Sequence, residues 1–316
     1  MNRMSSIITV GLCPCWDVVL RFDGIEWGDH KPVNSSDSRP AGKALNISQA
    51  LAWMGEKTIA AGLWGRDDFE PMLKATRKPG GLVKVKMTAV KGSTRRNVTI
   101  VDTGNNREMH MRNRSELTSK KALGQLEADL TEIAKRGSVC VFAGLMPEEE
   151  FLNDVVGIIK SCKKQGARIV VDTHGLALKE IIDTGSAWMI KPNVEELREL
   201  LCEEIKDNPA ALARAGRKLL DKVAVVLISR GRKGAVVVTS EGAWQGRCLG
   251  SSRVLSTVGC GDFLLAGFLK GLKDKSNFGS ALRSGIKVAT ARAWGCVEGK
   301  SWSQAKREIK AEVKRV

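Results

Sequence analysis

Gly259, Cys260, Gly261 and Asp262 form the stretch of this chain with the most definite chemistry. They stand between an apolar lead-in that starts at Val254 and the dense run Phe263, Leu264, Ala266, Gly267 and Phe268, which has the composition of a buried helix. Glycines at a turn let successive N–H groups point outward, and the positive end of a helix dipole adds to the same field. Such a turn suits an anion. A carboxylate at its mouth, Asp262, can accept the proton of a hydroxyl while the N–H groups stabilise a phosphoryl group in transfer. Taken alone, the tetrapeptide also fits a glycine turn followed by an ordinary acid at a helix start. The thiol of Cys260, at a helix N-terminus, is expected to have a lowered pKa.

The elements that would position these groups alternate along the chain. Residues 6–12 are a β-branched run that ends at Cys13-Pro14, and residues 18–22 are strand-like again. Residues 23–39 are polar and turn-rich, an edge hairpin or flap. Pro40 to Asn46 lead into a helix carrying Ile47, Ala50, Leu51 and Met54, which Gly55 closes. Residues 58–63 form a buried strand, and Val83–Val90 and Arg96–Asp102 alternate as two exposed strands. From residue 123 onward, helical spacings at 123–133, 148–164, 194–201, 209–220, 263–272 and 281–293 alternate with strands. Those strands lie at 139–142, 169–172, 188–190, 223–229, Ala235–Thr239 and 243–249. Residues 302–316 show Trp302, Ala305, Ile309 and Val313 at helical spacing, a terminal amphipathic helix. This order predicts an α/β fold, a mostly parallel sheet covered by helices on both faces, with ligands beyond the carboxyl ends of the strands.

Bulk properties exclude several classes. The 316 residues suffice for one large α/β domain, taken here as 1–316. No apolar run approaches membrane-spanning length, and the apolar part of residues 1–10 is too short for a secretion signal; a cytoplasmic protein without membrane contact is expected. Of eight cysteines only Cys13 and Cys15 are close, and no C-x-x-C pair occurs, which argues for reduced thiols. The formal charge is +16, but the basic residues are spread and the chain has no Tyr. Without aromatic stacking platforms among the cations, no nucleic-acid partner is expected.

Neither a P-loop nor a strand-bound G-x-G-x-x-G occurs, so a nucleotide would be held another way. The strand ends carry Asp172-Thr173-His174-Gly175, Lys191-Pro192-Asn193 with Glu196 following, and Ser229-Arg230-Gly231-Arg232-Lys233-Gly234. Asn193 with Glu196 also fits a capping box, and Gly231 and Gly234 a plain hairpin turn.

In this order the set resembles the ribokinase-like (pfkB) sugar kinases, nearly end to end from Thr9 to about Ala293. Ser256-Thr257-Val258-Gly259-Cys260-Gly261-Asp262 matches that family's N/D-T-x-G-A-G-D, with Cys260 and Ser256 as departures. Gly42-Lys43-Ala44-Leu45-Asn46 resembles G-G-K-G-x-N, with Ala41 and Ala44 replacing glycines. Cys13-Pro14-Cys15-Trp16-Asp17 resembles N-P-A-x-D. Lys-Pro-Asn-x-x-Glu and Thr94-Arg95-Arg96-Asn97 are similar to the phosphosugar branch, which includes 1-phosphofructokinase, tagatose-6-phosphate kinase and the minor 6-phosphofructokinase.

The resemblance implies a ribokinase-like three-layer fold with a small β lid from about 18–39 and 83–114, which in relatives often pairs with a second subunit as a homodimer. It implies an enzyme that uses ATP and Mg²⁺ to phosphorylate a primary hydroxyl of a sugar phosphate, foremost fructose 1-phosphate to fructose 1,6-bisphosphate. Tagatose 6-phosphate, fructose 6-phosphate, an unphosphorylated sugar or nucleoside, and a non-catalytic ligand-binding role stay open. Asp262 would be the base, with Thr257, Gly259, Cys260 and Gly261 as the anion hole. Asp17, Gly42, Lys43 and Asn46 would hold sugar hydroxyls; Arg95, with Asn97, would meet the substrate's phosphate. Lys191 and Asn193 would face the nucleotide phosphates and Glu196 the Mg²⁺, while Ser229, Gly231 and Gly234 would line the nucleotide pocket. The family's Gly-Ser-Leu-Pro, Asp-Ser/Thr-Ser-Gly and Ser-Leu-Gly appear here as Gly144-Leu145-Met146-Pro147, Asp172-Thr173-His174-Gly175 and Ser229-Arg230-Gly231. The sugar side has drifted more than the nucleotide side.

Overall fold

Short runs of Val, Ile and Ala set between helical spacings build most of this chain, and the strands they form are buried on both faces. A computed structural model describes residues 4–76, 81–275 and 277–316, so the start of the 1–10 stretch lies outside the described residues. The strands, in chain order, are β1 (Ile7–Gly11), β2 (Cys15–Phe22), β3 (Ser35–Ala41), β4 (Thr58–Gly65), β5 (Val83–Val90), β6 (Arg96–Asp102) and β7 (Arg107–Met111). They continue as β8 (Val139–Ala143), β9 (Arg168–Asp172), β10 (Met189–Ile190), β11 (Val225–Ser229), β12 (Ala235–Thr239), β13 (Gly242–Leu249) and β14 (Lys310–Arg315). The helices are α1 (Lys43–Trp53), α2 (Phe69–Thr76), α3 (Lys120–Ile133), α4 (Leu152–Lys164), α5 (Gly175–Asp183) and α6 (Val194–Leu201). After them come α7 (Pro209–Arg217), α8 (Cys260–Lys275), α9 (Phe278–Ala293), α10 (Cys296–Gly299) and α11 (Trp302–Glu308).

The large sheet has ten strands in the order β14-β13-β12-β11-β10-β9-β8-β1-β4-β5. From β5 to β11 all neighbours are parallel, and β12, β13 and β14 add antiparallel strands at one edge. Strand periodicity divides the core in two. Along β8, Cys140 and Phe142 enter the layer formed with Leu123, Ile158, Leu178, Leu197 and Leu212 of α3 to α7. Val139, Val141 and Ala143 enter the opposite layer with Leu51, Leu265, Phe268 and Leu282 of α1, α8 and α9. Each buried Val, Leu, Ile or Phe side chain here contributes about 1.5–3 kcal/mol by leaving water. The consequence for function is that α1 and α8 are packed rigidly beside the strand ends.

A second, four-stranded sheet of order β3-β2-β6-β7 leaves the large one at Cys13-Pro14. Pro14 cannot donate to a ladder, and the chain turns there out of β1 into β2. Trp16 fastens this lid, its ring meeting Trp64 edge-on at 5.7 Å and its Nε1 donating to Asp68 Oδ2 at 2.5 Å. Asp68 also accepts from the Thr94 N–H at 3.1 Å, so one carboxylate ties β2, α2 and the start of β6 together.

Two expectations change. Val83–Val90, expected in the lid, is the edge strand of the large sheet, paired along its length with β4. Val83, Val85 and Met87 turn to α2 and the Trp16–Trp64 cluster while Lys84 and Lys86 are exposed, an alternation that reads the same in sequence as a lid strand. The lid is therefore built from β2, β3, β6 and β7. Residues 302–316, expected as one helix, are α11 followed by β14, which pairs antiparallel with β13. Trp302, Ala305 and Ile309 do follow a helical face, but Ala311 and Val313 alternate with Lys310, Glu312 and Lys314 and pack on the core as a strand does. A residue four positions on fits both periods, so Val313 could not decide between them.

Candidate active site

Asp262 lies in the first turn of α8 and is 5% exposed. Gly259, just before the helix, has φ +79°, and a Cβ there would sit 3.8 Å from Asp262 Oδ2 and 3.7 Å from Asn46 Nδ2. The left-handed turn is what brings the backbone so close, and it favours glycine. Among the described residues no hydrogen bond occupies the N–H of Gly259, Gly261 or Asp262. These are orphan donors of a helix start, open to an anion. The N–H of Cys260 instead turns back to the Thr257 carbonyl at 3.4 Å. Thr257 itself is exposed at the rim.

Helix α1 supplies the residues facing this turn. Gly42, with φ +119°, is its N-cap and packs on Pro14, 3.4 Å from where a Cβ would stand. Asn46, one turn in, donates through Nδ2 to Asp262 Oδ2 at 2.7 Å. Lys43 reaches across to Asp172 at the end of β9, with Nζ to Oδ1 at 2.8 Å, and Lys191 at the end of β10 reaches the same oxygen at 3.4 Å. Lys191 Nζ also lies 3.4 Å from where a Cβ of Gly261 would be, so glycine leaves room for the ammonium beside the turn. Thus Asp262, Asn46, Lys43, Lys191 and the Gly259–Gly261 turn lie together, with Asp262 and Lys191 buried and the others half-buried.

Asp172 was not among the expected site residues. It is 0% exposed, pairs with both lysines, and its Oδ2 is buried without a hydrogen-bond partner. The signal was its place, a carboxylate ending a buried strand in Asp-Thr-His-Gly. Burial, then the Asp172 charge, pushes Asp262 up to about 7, against the pull of Asn46, Lys43 and Lys191. Burial opposes the charge of Lys43, but Asp172 outweighs it and leaves the ammonium above its ordinary pKa. A buried carboxylate raised in this way suits acid–base work near neutral pH. Cys260 departs from expectation: burial, together with the Asp262 charge and against that of Arg292, raises its pKa. Desolvation defeats the helix terminus there.

On the lid, Asp17 of β2 stands opposite Asn97 of β6 in the register. Cys15 lies between them: its thiol donates to Asp17 Oδ1 at 3.5 Å and Asn97 Nδ2 approaches the sulfur at 3.2 Å. Burial and the Asp17 charge push this thiol up to about 12, so it stays a donor. Arg95 is more committed than its motif suggests. Its Nε donates to the Cys13 and Pro14 carbonyls, both at 3.2 Å, Nη2 to Cys13 at 2.8 Å, and Nη1 to the Asn113 carbonyl at 2.8 Å. The guanidinium thereby knots the entry and exit of the lid. Arg112, just past β7, has no hydrogen-bond or ion-pair partner among the described residues, and its charge reaches Cys15.

On the other side, Asn193 and Glu196 form the capping box of α6: Asn193 Oδ1 accepts from Glu196 N at 2.9 Å and Glu196 Oε2 from Asn193 N at 2.8 Å. Asn193 also bridges to Ser229 at the end of β11. Gly231 and Gly234 have φ +54° and +92° and shape the turn into β12. The unusual Arg230 is pinned to Asp207 at 2.7 Å, which Lys233 also meets at 2.6 Å, so it points toward the α6–α7 loop. Among the described residues no three His, Cys, Asp or Glu side chains converge to hold a metal, and no helix is long and apolar enough to cross a membrane.

Comparison with known proteins agrees with this architecture. A 1-phosphofructokinase from Haemophilus influenzae is 26% identical over 282 residues, 85% of each chain. A tagatose-6-phosphate kinase from Staphylococcus epidermidis is 25% identical over 271 residues, 84% of this chain and 85% of its own. The crystal structure of phosphofructokinase-2 from Escherichia coli in complex with fructose-6-phosphate superposes with a TM-score of 0.86, covering 96% of this chain and 98% of that one at 23% identity. The profile of the pfkB family carbohydrate kinases matches residues 4–293. Nine-tenths of the chain, including the glycine turn, the buried carboxylate and the lysines that answer it, falls within that match, and the chain therefore belongs to the pfkB carbohydrate kinases, phosphotransferases with an alcohol group as acceptor.

Proposed function

We propose that the chain transfers the γ-phosphoryl group of ATP to the primary hydroxyl of a sugar phosphate, with fructose 1-phosphate as the foremost acceptor. The observation that carries this is the pairing of Asp262, raised to about 7, with three unoccupied backbone N–H groups beside it. The acceptor hydroxyl gives its proton to an Asp262 carboxylate oxygen as its oxygen bonds to the γ-phosphorus. The bond from that phosphorus to the β–γ bridging oxygen breaks, and ADP leaves with the electron pair. The N–H groups of Gly259, Gly261 and Asp262 face the charge in transit. Lys43 and Lys191, both held by Asp172 Oδ1, would add their positive charge beside it. A carboxylate with a pKa near 7 binds a proton more tightly than an ordinary Asp and is still ionised in part at neutral pH, so it is the stronger base.

Mg²⁺ fits the donor set present. It binds through one or two carboxylates plus phosphate oxygens and water rather than through a full protein cage. Glu196, with one oxygen in its capping box and the other without a hydrogen-bond partner among the described residues, would hold it. When bound it would neutralise the nucleotide phosphates.

On the acceptor side, Asp17 and Asn97 would take sugar hydroxyls alongside Gly42, Lys43 and Asn46. The substrate's phosphate would meet Arg95 and Arg112 together. Arg95 has one Nη2 hydrogen left after its carbonyl contacts, and Arg112 offers a whole guanidinium fork. Tagatose 6-phosphate and fructose 6-phosphate fit the same scheme. The relatives' names speak for phosphorylated acceptors. Ser229, Gly231, Gly234 and Asn193 would border the nucleotide. The lid exposes Trp27, Val33, Met109 and Met111, and a homodimer packed lid on lid would cover them.

ADP release measured across sugars and sugar phosphates tests this reading. Fructose 1-phosphate should give the highest kcat/KM. Equal turnover of unphosphorylated fructose or ribose would assign the chain to the plain sugar kinases instead.

A further inference from the structure

The C-terminal end of α9 holds the loop that enters the Gly259 turn. The Ala293 carbonyl accepts from the N–H of Leu255 at 2.8 Å and of Ser256 at 3.4 Å. One residue earlier, Arg292 donates from Nε to the carbonyl of Val258 at 3.2 Å. Its guanidinium carbon stands 5.6 Å above the Phe263 ring, and Nη1 meets Glu298 of α10 at 2.5 Å. The side chain is only 13% exposed. Nε lies 3.8 Å from where a Cβ of Gly259 would be, and the charge is felt at the Cys260 thiol. Nη2 has no partner among the described residues.

The peptide between Val258 and Gly259 is planar and trans, so its C=O and N–H point in opposite directions. Fixing the Val258 carbonyl against α9 therefore turns the Gly259 N–H the other way. Asn46 and Asp262 lie around that same glycine, 3.7 and 3.8 Å from its Cβ position. A guanidinium can grip a carbonyl through Nε and a carboxylate through Nη1 while lying flat on a ring, which an ammonium cannot.

We propose that Arg292 is a positioning residue for phosphoryl transfer: it locks the Val258–Gly259 peptide so that the open N–H groups of the α8 turn face the transferred group, and adds its charge to their field. This rests on the kinase reading of the same turn. Oxyanion-type donors act only when held where charge develops, so loosening the turn removes transition-state stabilisation rather than acceptor affinity.

The test joins steady-state kinetics to hydrogen exchange of the segment 255–262, in wild type, Arg292→Gln and Arg292→Lys. In Arg292→Gln, kcat with fructose 1-phosphate and Mg-ATP should fall about tenfold or more, while the sugar-phosphate KM stays within about twofold. Arg292→Lys should recover part of kcat. Exchange across 255–262 should quicken in the Gln variant, with the middle of α9 unchanged. A kcat within about twofold of wild type, a KM rise that accounts for the whole loss, or unchanged exchange would each overturn the proposal. Should the Gln variant not fold, the Lys variant decides: lowered kcat with faster exchange supports it, and wild-type values of both overturn it. If wild type phosphorylates no sugar phosphate, the sugar-phosphate reading falls, and exchange alone still decides whether Arg292 holds the turn.

Discussion

Asp172, Lys43 and Lys191 share the space beneath the α8 turn with Asp262, and in the proposed mechanism their balance decides when Asp262 can act as the base. Removing the base should cost about 10²–10⁴-fold in kcat with KM little changed, because the proton moves only in the transition state. Asp262→Asn tests this, and near-normal kcat would make Asp262 a helix-terminal acid only. With its pKa raised to about 7, kcat/KM should rise with pH through neutrality. Asp172→Asn removes a charge that raises the base and leaves Lys43 and Lys191 to lower it, so the limb should move to lower pH. An unmoved limb would sever Asp172 from the base. The same shift bears on stability. Asp262 holds its proton more tightly folded than unfolded, so its contribution is fully present below about pH 4, its ordinary range, and is lost as pH rises through about 7. Asp262→Asn should therefore melt higher than wild type at pH 8, by roughly 2 °C or more, and the gap should shrink steadily as the pH is lowered from about 7 toward about 4. Cys260→Ala should retain activity, and iodoacetamide should label the exposed Cys202 before Cys260, whose thiol is pushed up by burial.

In the proposed scheme acceptor choice turns on the lid, and its two arginines are separable by experiment. Arg112→Ala should raise KM for fructose 1-phosphate tenfold or more, about 1.4 kcal/mol, without changing the melting temperature. Arg95→Ala should raise KM and also lower stability by about 1.5–3 kcal/mol, because three backbone carbonyls lose a charged donor. If Arg95→Ala melted like wild type, its carbonyl contacts would be incidental. Arg95 also marks where sequence stops being informative. The motif around it was visible, but its carbonyl acceptors belong to Cys13, Pro14 and Asn113, which spacing cannot bring together. Asp262, Asn46, Lys43 and Lys191 were legible because each ends a strand or starts a helix, and the parallel sheet collects those ends on one side. Asp172 and Arg292 were not, since one reads as a strand-final acid and the other as a basic residue on a helix. For the same reason Val83–Val90 passed for a lid strand: alternation reports one covered face, not which layer covers it.

At the scale of the whole molecule, the lid joins the large sheet across Cys13-Pro14, and the proposed lid-on-lid dimer would cover the apolar side chains it exposes. Trp27 is 92% exposed, and Met109 and Met111 share one face of β7. Sedimentation should show a dimer, and Met109→Asp with Met111→Asp should yield a monomer; a wild-type monomer at micromolar concentration would refute lid-on-lid pairing. The central claim concerns the reaction. Fructose 1-phosphate with Mg-ATP, followed by phosphorus NMR in the presence of the wild-type chain and of Asp262→Asn, tests it most directly. The account predicts that the γ-phosphate signal is replaced by a second phosphomonoester at the primary hydroxyl carbon of the sugar, at a rate lost in Asp262→Asn. No new phosphomonoester with wild type, or an equal rate with the variant, would contradict it.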